Sequence, residues 1–280
     1  LENEQAKVIE LQGSLVGLPA LGPDNGGQGE QIKADFLLNY LEEMGFKEIK
    51  QLPAADSRVK CGFRPNIAAV LPGRDRQRTL WIVSHLDVVP AGDLQMWSSD
   101  PFKLRVEGDL LYGRGVEDNH HGLAASLLAA GSLQKNNVQP AQNLGLLFVA
   151  DEETGNKYGL DYVLNQHSDI FNPGDFFLVP DYGNSSSDLI DVAEKGVLWL
   201  KISVHGKQCH ASTPDEGINS LLASSALILK LRGVYKDFSK TDVMFHPSYS
   251  SFEATKKEAN VPNINTISGK DVFYLDSRIL

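Results

Sequence analysis

The chain has 280 residues, 42% hydrophobic and 22% charged, with a formal net charge of −10. That composition describes an ordinary soluble globular protein of one large or two medium domains. The negative balance argues against nucleic acid or an anionic membrane as the main partner, and no stretch is apolar for long enough to span a bilayer.

Cys61 and Cys209 form neither a CxxC pair nor a disulfide framework, so a reducing, cytoplasmic compartment is expected. The start lacks a basic-then-apolar signal, and it opens on Leu1 rather than Met, as a trimmed or processed chain would. A first helix is followed by a Gly/Pro loop over 17–29 and a stronger helix. In that helix Ile32, Phe36, Leu37, Tyr40, Leu41 and Met44 share one face, and Gly45 is its stop. The apolar runs 66–71 and 79–84, joined by the polar turn 73–76, predict a hairpin. The second run closes on His85-Leu86-Asp87. Residues 97–115 are loop-rich with short strands and lead into Gly113-Arg114-Gly115-Val116-Glu117-Asp118-Asn119. A helical pattern begins at Gly122 with Leu123, Leu127 and Leu128 on one side. The run 144–150 has the length and bulk of a buried strand and ends in three carboxylates, Asp151, Glu152 and Glu153. A helix around 158–166 and an apolar run 176–179 ending in Pro180-Asp181 follow. Strands alternating with helices imply an α/β sheet with helices on its faces.

The character changes near Glu194. A strand over 197–204, the loop His205-Gly206-Lys207-Gln208-Cys209-His210, a helix over 217–232 and an alternating strand over 272–280 make a smaller α+β module. The expected domains are therefore 1–194 and 195–280.

Adjacent carboxylates repel, so a strand end is an odd place for them unless something cationic holds them. Neighbours on an extended chain point opposite ways, which lets Glu152 and Glu153 do different jobs, one holding a metal and the other handling protons. The strand ends and loops present metal-type or acid/base groups four times: His85 with Asp87, Asp118, Glu152 with Glu153, and Asp181. Open α/β sheets bind ligands beyond the carboxyl ends of their strands, so these loops are candidates for one crevice. Imidazole plus carboxylates without thiolate suits zinc or a similar divalent ion in a catalytic site. This many carboxylates suit two ions about 3.5–4 Å apart. Singly, each has a plainer account: His85 a buried hydrogen-bonded histidine, Asp118 a helix cap, Asp181 a turn residue. Together those accounts require four separate coincidences at strand ends.

The H-x-D after a strand, the Gly-Arg-Gly-x-x-Asp loop, the Asp-Glu-Glu and the later Pro-Asp resemble the co-catalytic zinc exopeptidase and aminoacylase family. That family includes succinyl-diaminopimelate desuccinylase, acetylornithine deacetylase, glutamate carboxypeptidase and carnosinase-type dipeptidases. The resemblance implies a mixed, largely parallel sheet flanked by helices, with a smaller α+β lid or dimerisation domain inserted. It implies two zinc ions, with cobalt or manganese as alternatives. His85 and Asp181 would ligate one ion, Asp118 would bridge both, and Glu153 would bind the second. Glu152 would be the general base, and Asp87 would orient His85. The peptide after the bridging residue, Asp118–Asn119, would be cis. The loop around His210 matches one in which a histidine stabilises the oxyanion, often in the partner subunit's site. Asn265 and Arg278 fall where relatives hold the substrate's carboxylate or backbone. His120 and His121 depart from the Lys or Gln of many relatives and read as loop residues.

The family's last zinc ligand is a His supplied after the lid, and no counterpart precedes Leu280. The expectation is a longer natural chain, with this piece binding one metal or none and weak or inactive. The implied reaction is hydrolysis of an amide bond in a dipeptide or N-acyl amino acid, by a homodimer joined through the lid. Asp at 181 leans toward peptidases, while the glycine-loop wording resembles desuccinylase-like sequences. The alternatives are a non-catalytic metal- or ligand-binding protein on the same fold and, more distantly, an iron or manganese redox protein.

Overall fold

In the computed structural model, which describes residues 5–184, 186 and 188–280, the apolar run after Gln142 is the middle strand of a sheet. Two units are formed, Leu1–Leu189 and Ile190–Leu280. The first holds helices α1 (Gln5–Val16) and α2 (Gln31–Glu43), strand β1 (Glu48–Gln51) and the ribbon of β2 (Ala54–Ala55) with β3 (Phe63–Arg64). Then come β4 (Ile67–Leu71), β5 (Asp75–His85) and the ribbon of β6 (Arg105–Glu107) with β7 (Leu110–Tyr112). Helix α3 (His120–Lys135), β8 (Gln142–Val149), helix α4 (Leu160–Gln166) and β9 (Phe176–Leu178) complete it. The sheet order is β1-β4-β8-β5-β9. Strands β8 and β9 run parallel to β5, whereas β4 is antiparallel to β1 and β8. The sheet is mixed and flanked by helices, as expected.

The predicted hairpin does not form, because β8 lies between the two runs. The Gly73 N–H donates to the Asn143 side chain, and those of Arg74 and Asp75 donate to the carbonyls of Pro140 and Ala141. The polar turn thus wraps around the start of β8. Strands covered on both faces read as continuous apolar runs, which carry no mark of the neighbour they take.

Alternation along the strands sorts the core into two layers. Ile67, Ala69, Leu146 and Phe148 face Leu11, Leu15, Ala34, Leu37, Leu41, Leu123 and Leu127 of α1, α2 and α3. Ala68, Leu147 and Val149 face the other way, with Trp81, Val83 and Val163 of α4. The buried stripe of α2 is Lys33, Ala34, Leu37 and Leu41, and Ile32 is 71% exposed, so the helix is rotated from the face its apolar residues predict.

The second unit is built on β10 (Gly196–His205), with β11 (Cys209–His210), α5 (Ser220–Leu231), α6 (Val234–Asp237), β12 (Ser251–Lys257), β13 (Thr266–Ile267) and β14 (Lys270–Ile279). Its antiparallel sheet has the order β10-β14-β12, and β11 pairs with β13. Helix α5 is capped by the Asn219 side chain, which accepts from the Leu222 N–H at 3.0 Å. Strand β12 is mostly exposed and charged, which hides it from a search for apolar alternation. Among the described residues no helix is long and apolar enough to cross a membrane.

Candidate metal centre

Parallel strands that end level with one another deliver their following loops to one edge. His85 at the end of β5 lies opposite Val149 of β8, and Ile82 lies opposite Leu178 of β9. The residues just beyond, Glu152 and Glu153 on one side and Asp181 on the other, therefore arrive beside His85. Asp118 precedes Asn119, the N-cap of α3, and the Asp118–Asn119 peptide is cis. At Gly122, in the first turn of α3, a Cβ would sit 2.2 Å from the Pro180 carbonyl oxygen. Only glycine lets that turn lie against the segment carrying Asp181.

Two groups of possible ligand atoms result. One is His85, Glu152 and Asp181, the other His85, Asp118 and Glu153, and within each the atoms lie within 4.8 Å of one another. His85 is buried, with Nδ1 3.0 Å from the Asp87 backbone oxygen and Nε2 2.8 Å from Asp118 Oδ1 and 3.7 Å from Asp181 Oδ1. A carbonyl accepts only, so Nδ1 carries a proton and Nε2 is the nitrogen turned toward the carboxylates.

The charges are strongly coupled. Burial opposes an imidazolium at His85, yet hydrogen bonds to Asp118, Asp181 and Asp87 push its pKa up to about 12. The bond to His85 holds Asp181 below the usual carboxylate range against the effect of its burial. Burial, reinforced by Asp118, pushes Glu153 up to about 7, and burial likewise raises Glu152. The site thus concentrates more carboxylate than one imidazole balances. One borderline nitrogen and several hard oxygens, with no thiolate, fit zinc, manganese or cobalt.

The surroundings add residues whose roles sequence reasoning missed. Asp87 faces His85, and its two carboxylate oxygens also accept the backbone N–H groups of Glu152 at 3.1 Å and Glu153 at 3.0 Å. One buried carboxylate therefore sets both the histidine and the glutamate turn. Asn119 donates its side-chain N–H to Asp181 Oδ1 at 2.6 Å. Asp151, first of the three consecutive acids, turns away from the site with φ at 63°. It accepts from Arg64 Nη1 at 3.3 Å, from the Tyr158 N–H at 3.0 Å and from the Thr154 hydroxyl. Arg64 is fully buried and also donates to Glu30 through Nε at 2.7 Å. His120 and His121 are not loop residues. They open α3, and His120 is buried, because the helix starts two residues before the apolar pattern does.

The remaining candidates belong to the second unit. His210 Nδ1 is 2.7 Å from Ser212 Oγ, and its Nε2 is 3.4 Å from Asn265 Nδ2, so these two candidates are neighbours. Arg278 lies on β14 with its guanidinium donating to both carboxylate oxygens of Asp276, at 2.9 and 3.1 Å.

Residues 81–267 match the model of peptidase family M20/M25/M40. The chain is 39% identical over 284 residues to an uncharacterized metallohydrolase of Methanocaldococcus jannaschii, a match covering 98% of this chain and 68% of that protein. It is 30% identical over 274 residues to succinyl-diaminopimelate desuccinylase of Ehrlichia canis, covering 96% of this chain and 67% of that one. In fold it is similar to an M20 family metallo-carboxypeptidase from Sulfolobus solfataricus, with a TM-score of 0.74 at 19% identity over 100% of this chain and 72% of that chain. His85, Asp118, Glu152, Glu153 and Asp181 all lie inside the matched stretch, and the chain belongs to peptidase family M20/M25/M40.

Proposed function

We propose that this chain carries the metal centre of a hydrolase that cleaves an amide bond in a dipeptide or N-acyl amino acid. The observation that carries the reading is the pair of ligand groups sharing His85 at the ends of parallel strands. His85, Asp118 and Asp181 would hold one divalent ion, and Asp118 with Glu153 would hold the second, zinc being the first candidate. When bound, such ions supply Lewis-acid polarisation of the scissile carbonyl and hydroxide at neutral pH.

The chain's own residues supply the rest. Glu152 accepts a proton from the attacking water and delivers it to the departing amine nitrogen, a task suited to a carboxylate whose pKa burial has raised. Asp87 fixes the position of Glu152 through its backbone N–H and holds the His85 ring. Asn119 fixes Asp181. His210 and Asn265, adjacent in the second unit, would contact the substrate's carbonyl and carboxylate, with Arg278 released from Asp276 to grip the carboxylate. A homodimer formed through the second unit belongs to the same reading. It is supported by the edge position of β10 and by exposed Val197, Leu198, Trp199 and Leu200 along it.

The test is hydrolysis of a panel of dipeptides and N-acyl amino acids by the protein made from its complete coding sequence, with and without chelator. Chelator-sensitive turnover supports the reading. Turnover that survives metal removal, or two bound metals with no turnover of either class, overturns it.

A further inference from the structure

Helix α2 opens with two charged side chains that solvent does not reach, Glu30 just before it and Lys33 in its first turn. Arg64 accounts for Glu30. Lys33 is put to a different use. Its Nζ donates to the Leu86 carbonyl at 2.9 Å and to His120 Nε2 at 2.7 Å. Leu86 stands between His85 and Asp87, and His120 is two residues past Asp118. One nitrogen therefore ties a core helix to both segments that carry the shared histidine and the expected bridging carboxylate.

The far side of His120 is closed as well. Its backbone N–H donates to the Gly115 carbonyl at 2.8 Å, and a Cβ at Gly115 would come within 2.5 Å of the ring's Cε1. Gly115 has φ at 86°, so glycine there serves both the turn and the close approach. The ring is thus clamped between α2 and the glycine loop that leads into Asp118. Burial is costly for a lysine, lowering its pKa to about 7, and a methionine of similar length would fill the space without that cost.

We infer that Lys33 is a positioning residue of the metal centre, setting His85 and Asp118 relative to each other through the Leu86 carbonyl and the His120 ring. The inference rests on the metal-centre reading above. It is tested in the protein made from its complete coding sequence, loaded with cobalt(II), by comparing wild type, Lys33→Met and Leu41→Ala. Leu41 is buried two turns further along the same helix and has no polar side-chain atom, so its truncation loosens the core without removing a hydrogen bond to either ligand segment. The expected result for Lys33→Met is cobalt binding weakened by about 10–100-fold, a changed visible cobalt spectrum, and a lower kcat at unchanged KM. Leu41→Ala should leave the affinity and spectrum as in wild type. If Lys33→Met fails to fold, His120→Phe, which has no acceptor for the lysine, cuts the same tie from its other end and is read the same way. A folded variant with wild-type affinity and spectrum overturns the inference, as does a Leu41→Ala protein showing the same changes. A wild-type protein that binds no cobalt overturns the metal-centre reading and the inference with it.

Discussion

Asp87 offers the sharpest single perturbation. Its buried carboxylate accepts two backbone N–H groups, from Glu152 at 3.1 Å and Glu153 at 3.0 Å, while facing His85 Nδ1 at 3.4 Å. Replacement by alanine leaves both N–H groups without their acceptor. Each hydrogen bond to a charged group is worth about 1.5–3 kcal/mol, and because the turn is only half-buried the lower values apply, giving about 3–4 kcal/mol for the pair. Asp87→Asn keeps one acceptor oxygen and turns an NH₂ toward the other N–H, so it should cost about half as much. Urea denaturation with chelator present measures this as a shifted midpoint at constant slope. With both glutamates and the histidine released, metal affinity should fall by about 10–100-fold in the alanine variant. An alanine variant with an unchanged urea midpoint and unchanged metal affinity would show that the strand ends alone place the glutamates, and would refute the argument.

Three further outcomes are expected. Glu152→Gln should lower kcat by about 10²–10⁴-fold with metal content kept, whereas Glu153→Ala should lose metal; elemental analysis beside turnover separates the two. Arg64→Met strands Glu30 and Asp151 in the core without their cation and should cost about 3–5 kcal/mol by urea denaturation, part of it recovered by adding Glu30→Gln. Lys33 titrates at about 7 in the fold, below the ordinary lysine value it has when unfolded. Between those values Lys33 leaves the unfolded chain with one more proton, so its own contribution to stability rises with pH by up to about 1.4 kcal/mol per unit. His85, whose pKa the fold raises, contributes in the opposite direction. The stability of wild type relative to Lys33→Met should therefore rise with pH across that window, as urea midpoints of the two metal-free proteins would show, and an unchanged difference would refute it.

Much of the site was legible because its signals are local. An apolar run followed by His-x-Asp, by Asp-Glu-Glu or by Pro-Asp marks a strand end bearing candidate ligands, whichever strand lies beside it. The glycine loop before Asp118 reads similarly. What those signals lack is direction. Asp151, Glu152 and Glu153 are equivalent as letters, yet Asp151 turns inward to Arg64 because its backbone adopts a left-handed conformation and a buried cation waits there. Asp87 was expected to serve one histidine and serves two glutamates besides, since the parallel pairing of β5 with β8 brings their turn onto it.

The sequence by itself determined the alternation of strands and helices, the donor set of one imidazole and several carboxylates, and the change of character near Glu194. These depend on composition and spacing along a few residues. Only the tertiary structure decided that β8 separates the two runs that read as a hairpin, that α2 turns Ile32 out and Lys33 in, and that His120 is a buried helical residue. Each depends on which distant group lies opposite. A lysine can enter a core only where acceptors such as the Leu86 carbonyl and the His120 ring are already in place, and that is a property of packing rather than of any stretch of sequence.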